Sequence, residues 1–138
     1  MSAADCIFCK IASGQIPAVK IYEDDVIVAF LDIGPISDGH TLIIPHGHFE
    51  KVHNCPPEVL SQIWSRLGKV AGAVASAMNA DGYNVLCNNG RAAGQVVDHL
   101  HFHIVPRKAG DGVFTQWPSH KYGPGQVEAV AERIKSKL

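Results

Sequence analysis

The sequence predicts an α+β domain: a mostly antiparallel sheet of five short strands, one long helix packed on it, and a C-terminal helix. Three observations carry this. In residues 99–105, His99, His101 and His103 alternate with Leu100, Phe102 and Ile104, which is the two-residue period of a strand. From Val59 to about Asn79 the apolar side chains instead recur every three to four positions, the period of an amphipathic helix. The strand candidates lie close in sequence, which favours antiparallel neighbours.

The elements follow in order. Ile7, Phe8 and Ile11 predict a short helical turn over 5–12 with Asp5 as its cap, broken by the stretch from Gly14 to Pro17. Strands are expected at 19–22, at 26–33 after the polar turn Glu23-Asp24-Asp25, and at 40–45 after a Gly- and Pro-bearing loop. Cys55-Pro56-Pro57 opens the long helix, since proline is accepted at a helix start. Its apolar stripe includes Ile63, Trp64, Leu67, Val70 and Val74, and Asp81-Gly82 lies beyond its end. A strand at 83–88, a tight loop at 89–95 and the strand at 99–105, closed by Pro106, come next. Residues 107–124 read as loop. Residues 126–138 read as a helix with Val127, Val130, Ala131, Ile134 and Leu138 on one side.

Bulk properties narrow the function. The 138 residues suit a single domain over 1–138. Twelve basic against thirteen acidic residues give a net charge of −1, which argues against nucleic acid or an anionic membrane as the partner. No apolar run reaches the length of a membrane span, and the first residues lack the basic and apolar regions of a signal peptide. A cytoplasmic location with reduced thiols is expected.

The eight histidines are the compositional oddity. Three imidazoles on one strand face sit about 6.6 Å apart. They suit proton exchange near neutral pH, or attack on phosphorus to give a phosphoramidate intermediate. The other reading is an exposed face that is merely rich in histidine. His101, in the middle, is the natural nucleophile. It needs a partner to fix its tautomer, and the sequence does not name one. Gly90 and Gly94 in the preceding loop would let backbone amides form an anion nest, with Asn88 and Gln95 as neutral donors. A plain hairpin loop is the alternative. Cys6 and Cys9 form a CxxC pair. With His48 and one strand histidine they would complete a tetrahedral zinc site, or they are small core residues. His46, His53 and His120 read as surface residues, and Trp117 as a loop residue serving an interface or a substrate.

The run His99-Leu100-His101-Phe102-His103-Ile104-Val105, with Gly94-Gln95 before it and Pro106-Arg107 after it, resembles the signature of the histidine triad (HIT) family. Ile7-Phe8-Cys9-Lys10-Ile11, Phe30-Leu31-Asp32-Ile33, Gly39-His40-Thr41-Leu42-Ile43-Ile44-Pro45 and His48 resemble the N-terminal half of its bacterial nucleotide-binding branch, and residues 106–111 also resemble its fragile-histidine-triad branch. The resemblance implies a homodimeric fold that binds purine nucleotides. It implies hydrolysis or transfer at the α-phosphate through a nucleotidyl-histidine intermediate, on phosphoramidates or dinucleoside polyphosphates. It makes His101 the nucleophile and His40, His99 and His103 its partners. It assigns phosphate contacts to Asn88, Gln95 and the backbone of residues 94–97, which includes Gly94 and Val96. Asp32 would take the ribose hydroxyls, and Ile7, Phe8, Ile11, Phe30 and Ile33 the base. Some members hold structural zinc through positions matching Cys6, Cys9, His48 and His99; the chemical step needs no metal. Two departures stand out. Val96 replaces the Ser or Thr of many relatives, whose hydroxyl helps at the leaving group. Asp98 stands beside the signature and by alternation faces away from the imidazoles. Val96 keeps a second reading open, a nucleotide- or partner-binding module with vestigial catalysis.

Overall fold

The computed structural model describes residues 3–114 and 118–138; the reading of Trp117 lies outside the described residues. The sheet is built from β1 (Lys20–Glu23), β2 (Ile27–Leu31), β3 (Thr41–Pro45), β4 (Gly82–Leu86) and β5 (Phe102–Arg107). Their order is β1-β2-β3-β5-β4, and every pairing is antiparallel. The helices are α1 (Ile7–Ala12), α2 (Pro57–Ala77) and α3 (Gln126–Lys135).

Alternation along the strands divides the core between two faces. Ile27, Ala29, Ile43, Phe102 and Ile104 pack under Ile63, Leu67, Val70, Ala71 and Val74 of α2. Val28, Phe30, Leu42 and Ile44 point the other way, against Cys6 and the α1 residues Phe8 and Ile11. Leu100 continues the first face, while the rings of His99 and His101 meet Phe8 on the second.

Several expectations are corrected. The ladder begins at Phe102 rather than His99 and runs through Pro106 to Arg107. Upstream, the Leu100 amide donates to the Phe49 carbonyl, which draws residues 99–101 away from β3. The alternation of faces persists there without the ladder. Cys6, not Asp5, caps α1, its Sγ accepting from the Cys9 amide. Trp64 is half-exposed with only its edge on Phe102, because it sits about 100° around the helix from Ile63. Helix α3 ends at Lys135, and none of its apolar stripe is fully buried, only Val130 and Ala131 being half-buried.

Candidate active site

Residues 99–103 carry three imidazoles into the space between the sheet and α1. Burying an imidazole is tolerable only if it is neutral and hydrogen-bonded. Each ring meets that condition differently. His101 is almost fully buried, and its Nδ1 lies 2.6 Å from the carbonyl oxygen of His99. A carbonyl can only accept, so Nδ1 carries the proton. Nε2 is left with a lone pair and has no protein partner among the described residues. Burial pushes this imidazole below the ordinary histidine range, against the pull of the His99 carbonyl and Asp32. The partner that the sequence could not name is thus a backbone carbonyl two residues back.

A second chain of bonds fixes His103. The Ile36 amide donates to Nδ1 of His40 at 3.1 Å. His40 must then carry its proton on Nε2, which donates to Nδ1 of His103 at 2.9 Å. His103 is therefore protonated on Nε2, a buried atom with no protein partner. Burial, reinforced by His101 and His40 and opposed by Asp32, pulls His103 down to about 4. Burial also lowers His40, although Asp32 lies 3.7 Å from its Nε2 and opposes the shift. Asp32, His40 and His103 converge closely enough to suggest a cation site. The facing nitrogens of the two histidines are committed to each other instead.

His101 and His103 line a cavity of about 350 Å³, within the usual range for small-molecule sites. Its deep wall is apolar: Ile7, Phe8, Ile11 and Phe30 as expected, with Ile16, Pro17, Ala18, Leu31 and Leu42 in addition. Ile33 also reaches it but is fully exposed, so it forms rim rather than wall. Asp32 is the one carboxylate on its surface, and Gly94, Val96 and Val97 also line it. The additional residues sit on the break after α1 and on β3, where period alone does not show which face meets a ligand.

The loop before the signature differs in detail from the nest drawn from its glycines. Gly94 has a left-handed φ of 95° that ends a single turn over Arg91–Ala93. That turn closes the Ala93, Gly94 and Gln95 amides on carbonyls of Gly90 and Arg91. The Val96 and Val97 amides, on residues that line the cavity, have no acceptor among the described residues. Gln95 is buried and does not face the cavity. Its oxygen accepts from the Gly90 amide, and its nitrogen donates to the Glu50 and Val97 carbonyls. Asn88 packs beside Gly94 and is not part of the cavity surface. Gln95 thereby braces the loop that presents Val96 and Val97.

His99 turns the opposite way. Its Nε2 donates to the Pro45 carbonyl at 3.0 Å, leaving the Nδ1 lone pair 3.4 Å from Cys6 Sγ and 3.5 Å from Cys9 Sγ. His48 Nδ1 lies 3.3 Å from Cys9 Sγ. The four donor atoms fall within 4.8 Å of one another. Zinc–sulfur and zinc–nitrogen bonds of ordinary length give a tetrahedral edge of about 3.6 Å, so the donor set fits that ion. A backbone carbonyl orienting the ligating histidine is the usual outer support of such a site. Burial, together with Cys6, pushes the Cys9 thiol up to about 11, so a cation is what would hold it as thiolate. His46 donates to the Asp24 carbonyl, and His53 and His120 are exposed, so none of them joins either cluster.

The HIT domain family model matches residues 13–110. The adenosine 5′-monophosphoramidase hnt1 of Schizosaccharomyces pombe is 45% identical over 134 residues, covering 96% of this chain and 98% of that protein. A HIT family protein from Bacillus subtilis has a crystal structure that matches with a TM-score of 0.90 at 41% identity, covering 97% of each chain. A zinc-bound histidine triad family protein from Mycobacterium smegmatis matches with a TM-score of 0.76 at 35% identity, covering 99% of this chain and 100% of that one. With His101 and His103 held in fixed tautomers beside an apolar cavity, and a family match spanning most of its length, this chain belongs to the HIT domain family.

Proposed function

We propose that this chain, as one domain over residues 1–138, is a hydrolase or transferase acting at the α-phosphate of purine nucleotides through a nucleotidyl-His101 intermediate. The observation that supports it most is the fixed tautomer of His101, whose Nε2 lone pair is free while its Nδ1–H rests on the His99 carbonyl. The apolar wall takes the base and Asp32 the ribose hydroxyls. The Val96 and Val97 amides and His103 Nε2–H take phosphoryl oxygens, stabilising the charge that grows in the transition state. His101 Nε2 bonds to phosphorus as the bond to the leaving group breaks. The adduct is an imidazolium that keeps its Nδ1–H on the His99 carbonyl. Water then attacks phosphorus, releases a proton to solvent and returns the electron pair to Nε2. Gln95 acts through the loop it braces.

Cys6, Cys9, His48 and His99 would hold a structural zinc, which would tie α1 to the segment before β5 that carries the nucleophile. The chemical step runs without it. A homodimer in the cytoplasm belongs to the same reading and rests on the family likeness. No helix among the described residues is long and apolar enough to cross a membrane.

The test is an intact-mass spectrum after mixing with adenosine 5′-phosphoramidate and quenching rapidly. An added nucleotidyl mass, absent from His101→Ala, is expected. Nucleotide binding with neither adduct nor AMP would leave only a binding module.

A further inference from the structure

Resting on that reading, we propose that Ser37 is a positioning residue for the reaction. Its hydroxyl holds the loop before β3 so that the Ile36 amide selects the tautomer in which His103 offers an N–H to the phosphoryl group. The loop runs from Asp32 to His40 and is exposed from Ile33 to Ile36. Within it, the Asp32 amide donates to the His40 carbonyl and the His40 amide to the Ser37 carbonyl. The Ser37 hydroxyl ties the loop to β5, donating to the Pro106 carbonyl at 2.7 Å across 69 positions of sequence. The β3–β5 ladder stops at Thr41 and Ile104, two residues short of Pro106. A side chain here takes the place of the next rung.

The His40–His103 pair makes that tie matter. Two neutral imidazoles joined by one hydrogen bond have two arrangements. In the first, His40 Nε2–H donates to His103 Nδ1, and His103 presents Nε2–H to the cavity. In the second, His103 Nδ1–H donates to His40 Nε2, and His103 presents a lone pair. Both satisfy the 2.9 Å contact between the rings. A phosphoryl oxygen accepts a hydrogen bond from the first and meets a lone pair in the second. The other side of His40 separates them. The Ile36 amide, 3.1 Å from Nδ1, donates to a lone pair in the first arrangement and faces an N–H in the second. Asp32 lies 3.7 Å from His40 Nε2, too far to accept a hydrogen bond. The Ile36 side chain is nearly half-exposed, so the backbone that Ser37 anchors is what places its amide. Ser37 is not part of the cavity surface and acts through the amide beside it.

The test reads the tautomers directly. Two-bond ¹H–¹⁵N spectra of the ligand-free protein at neutral pH separate protonated from unprotonated ring nitrogens. The parent chain should show a protonated Nε2 on both His40 and His103. In Ser37→Ala the His103 Nε2 signal should move toward the unprotonated position. Its kcat for adenosine 5′-phosphoramidate should fall about tenfold, with KM changing less; a mixed population stops short of the roughly 10²- to 10³-fold cost of losing such a donor outright. Ser37→Thr, which keeps a hydroxyl, should restore both readouts. Ser37→Val, which matches that size without a hydroxyl, should not, and melting temperatures check that each variant folds. A fall in turnover with unchanged tautomers, shifted tautomers with unchanged turnover, or equal behaviour of the Thr and Val variants overturns the inference and leaves nucleotidyl transfer standing. A parent chain that yields neither adduct nor AMP overturns the reaction itself, while the spectra still decide whether Ser37 sets the tautomer.

Discussion

His99 and His101 are two residues apart and share a sheet face, yet their rings face different clusters. Each donates one ring N–H to a backbone carbonyl. The difference is which nitrogen. Pro45 takes Nε2 of His99, so Nδ1 turns to the thiols. The His99 carbonyl takes Nδ1 of His101, so Nε2 is free for the cavity. Identical side chains present opposite nitrogens, one to the thiols and one to the cavity, because two carbonyls approach from different sides. The clusters are also joined, since His99 gives its side chain to one and its backbone to the other.

The sharpest break in this comparison is His101→Ala. Turnover should fall at least about 10³-fold, as for loss of any covalent nucleophile, while zinc content and fold persist. Turnover within tenfold of the parent chain would remove His101 from the mechanism. Cys6→Ala tests the other cluster. Purified without chelator, the parent chain should hold about one zinc per chain, and the variant none. Because the His99 backbone orients His101, the loss should also lower turnover by about 10- to 100-fold. A metal-free parent chain with a full melting transition would return Cys6 and Cys9 to the core.

Much of this was legible in the sequence, and what was not has a common cause. Alternation at 99–105 placed Leu100, Phe102 and Ile104 under α2 and the imidazoles opposite them, although the ladder starts only at Phe102. The CxxC pair, His48 and His99 do converge. The groups that set each tautomer, however, are the Ile36 amide and the carbonyls of Pro45 and His99. Backbone groups carry no residue-type signal, and Pro45 lies 54 positions from His99. The same blindness hides that folding commits the Gln95 amide to loop carbonyls and sets Asn88 beside Gly94. Period likewise put Trp64 in the core, because it reports a face and not how far a neighbouring layer extends.

The His40–His103 pair sharpens the comparison through pH. His103 is pulled from 6.5 down to about 4, and His40 is lowered as well. Above pH 6.5 both states are neutral, and these residues add no pH dependence. Between 6.5 and about 4 the unfolded chain binds protons that the folded one refuses, so stability falls as pH falls. Melting temperatures measured across that window should decline less steeply in His103→Asn than in the parent chain. Equal slopes would mean that His103 is not held neutral. Turnover should fall over the same lower range, as protonation of His103 breaks the bond from His40.

The smallest effect is expected outside both clusters, at Asp24. Its Oδ1 accepts from the Val26 and Ile27 amides, and its Oδ2 from Tyr22 and Arg66. Burial opposes ionisation here, but the Ile27 amide, Arg66, the Val26 amide and Tyr22 together hold this carboxyl well below the usual range. Its contribution is therefore present above pH 3.8 and lost as pH falls below it. Asp24→Asn keeps an oxygen for the two amides but sets an NH₂ against Arg66. The cost should be about 1–2 kcal/mol at neutral pH, read by denaturant unfolding, with turnover unchanged. A comparable loss of turnover would show that the turn before β2 communicates with the imidazoles, although β2 and β3 lie between it and β5 in the sheet. The two-carbonyl account of the site would then be incomplete.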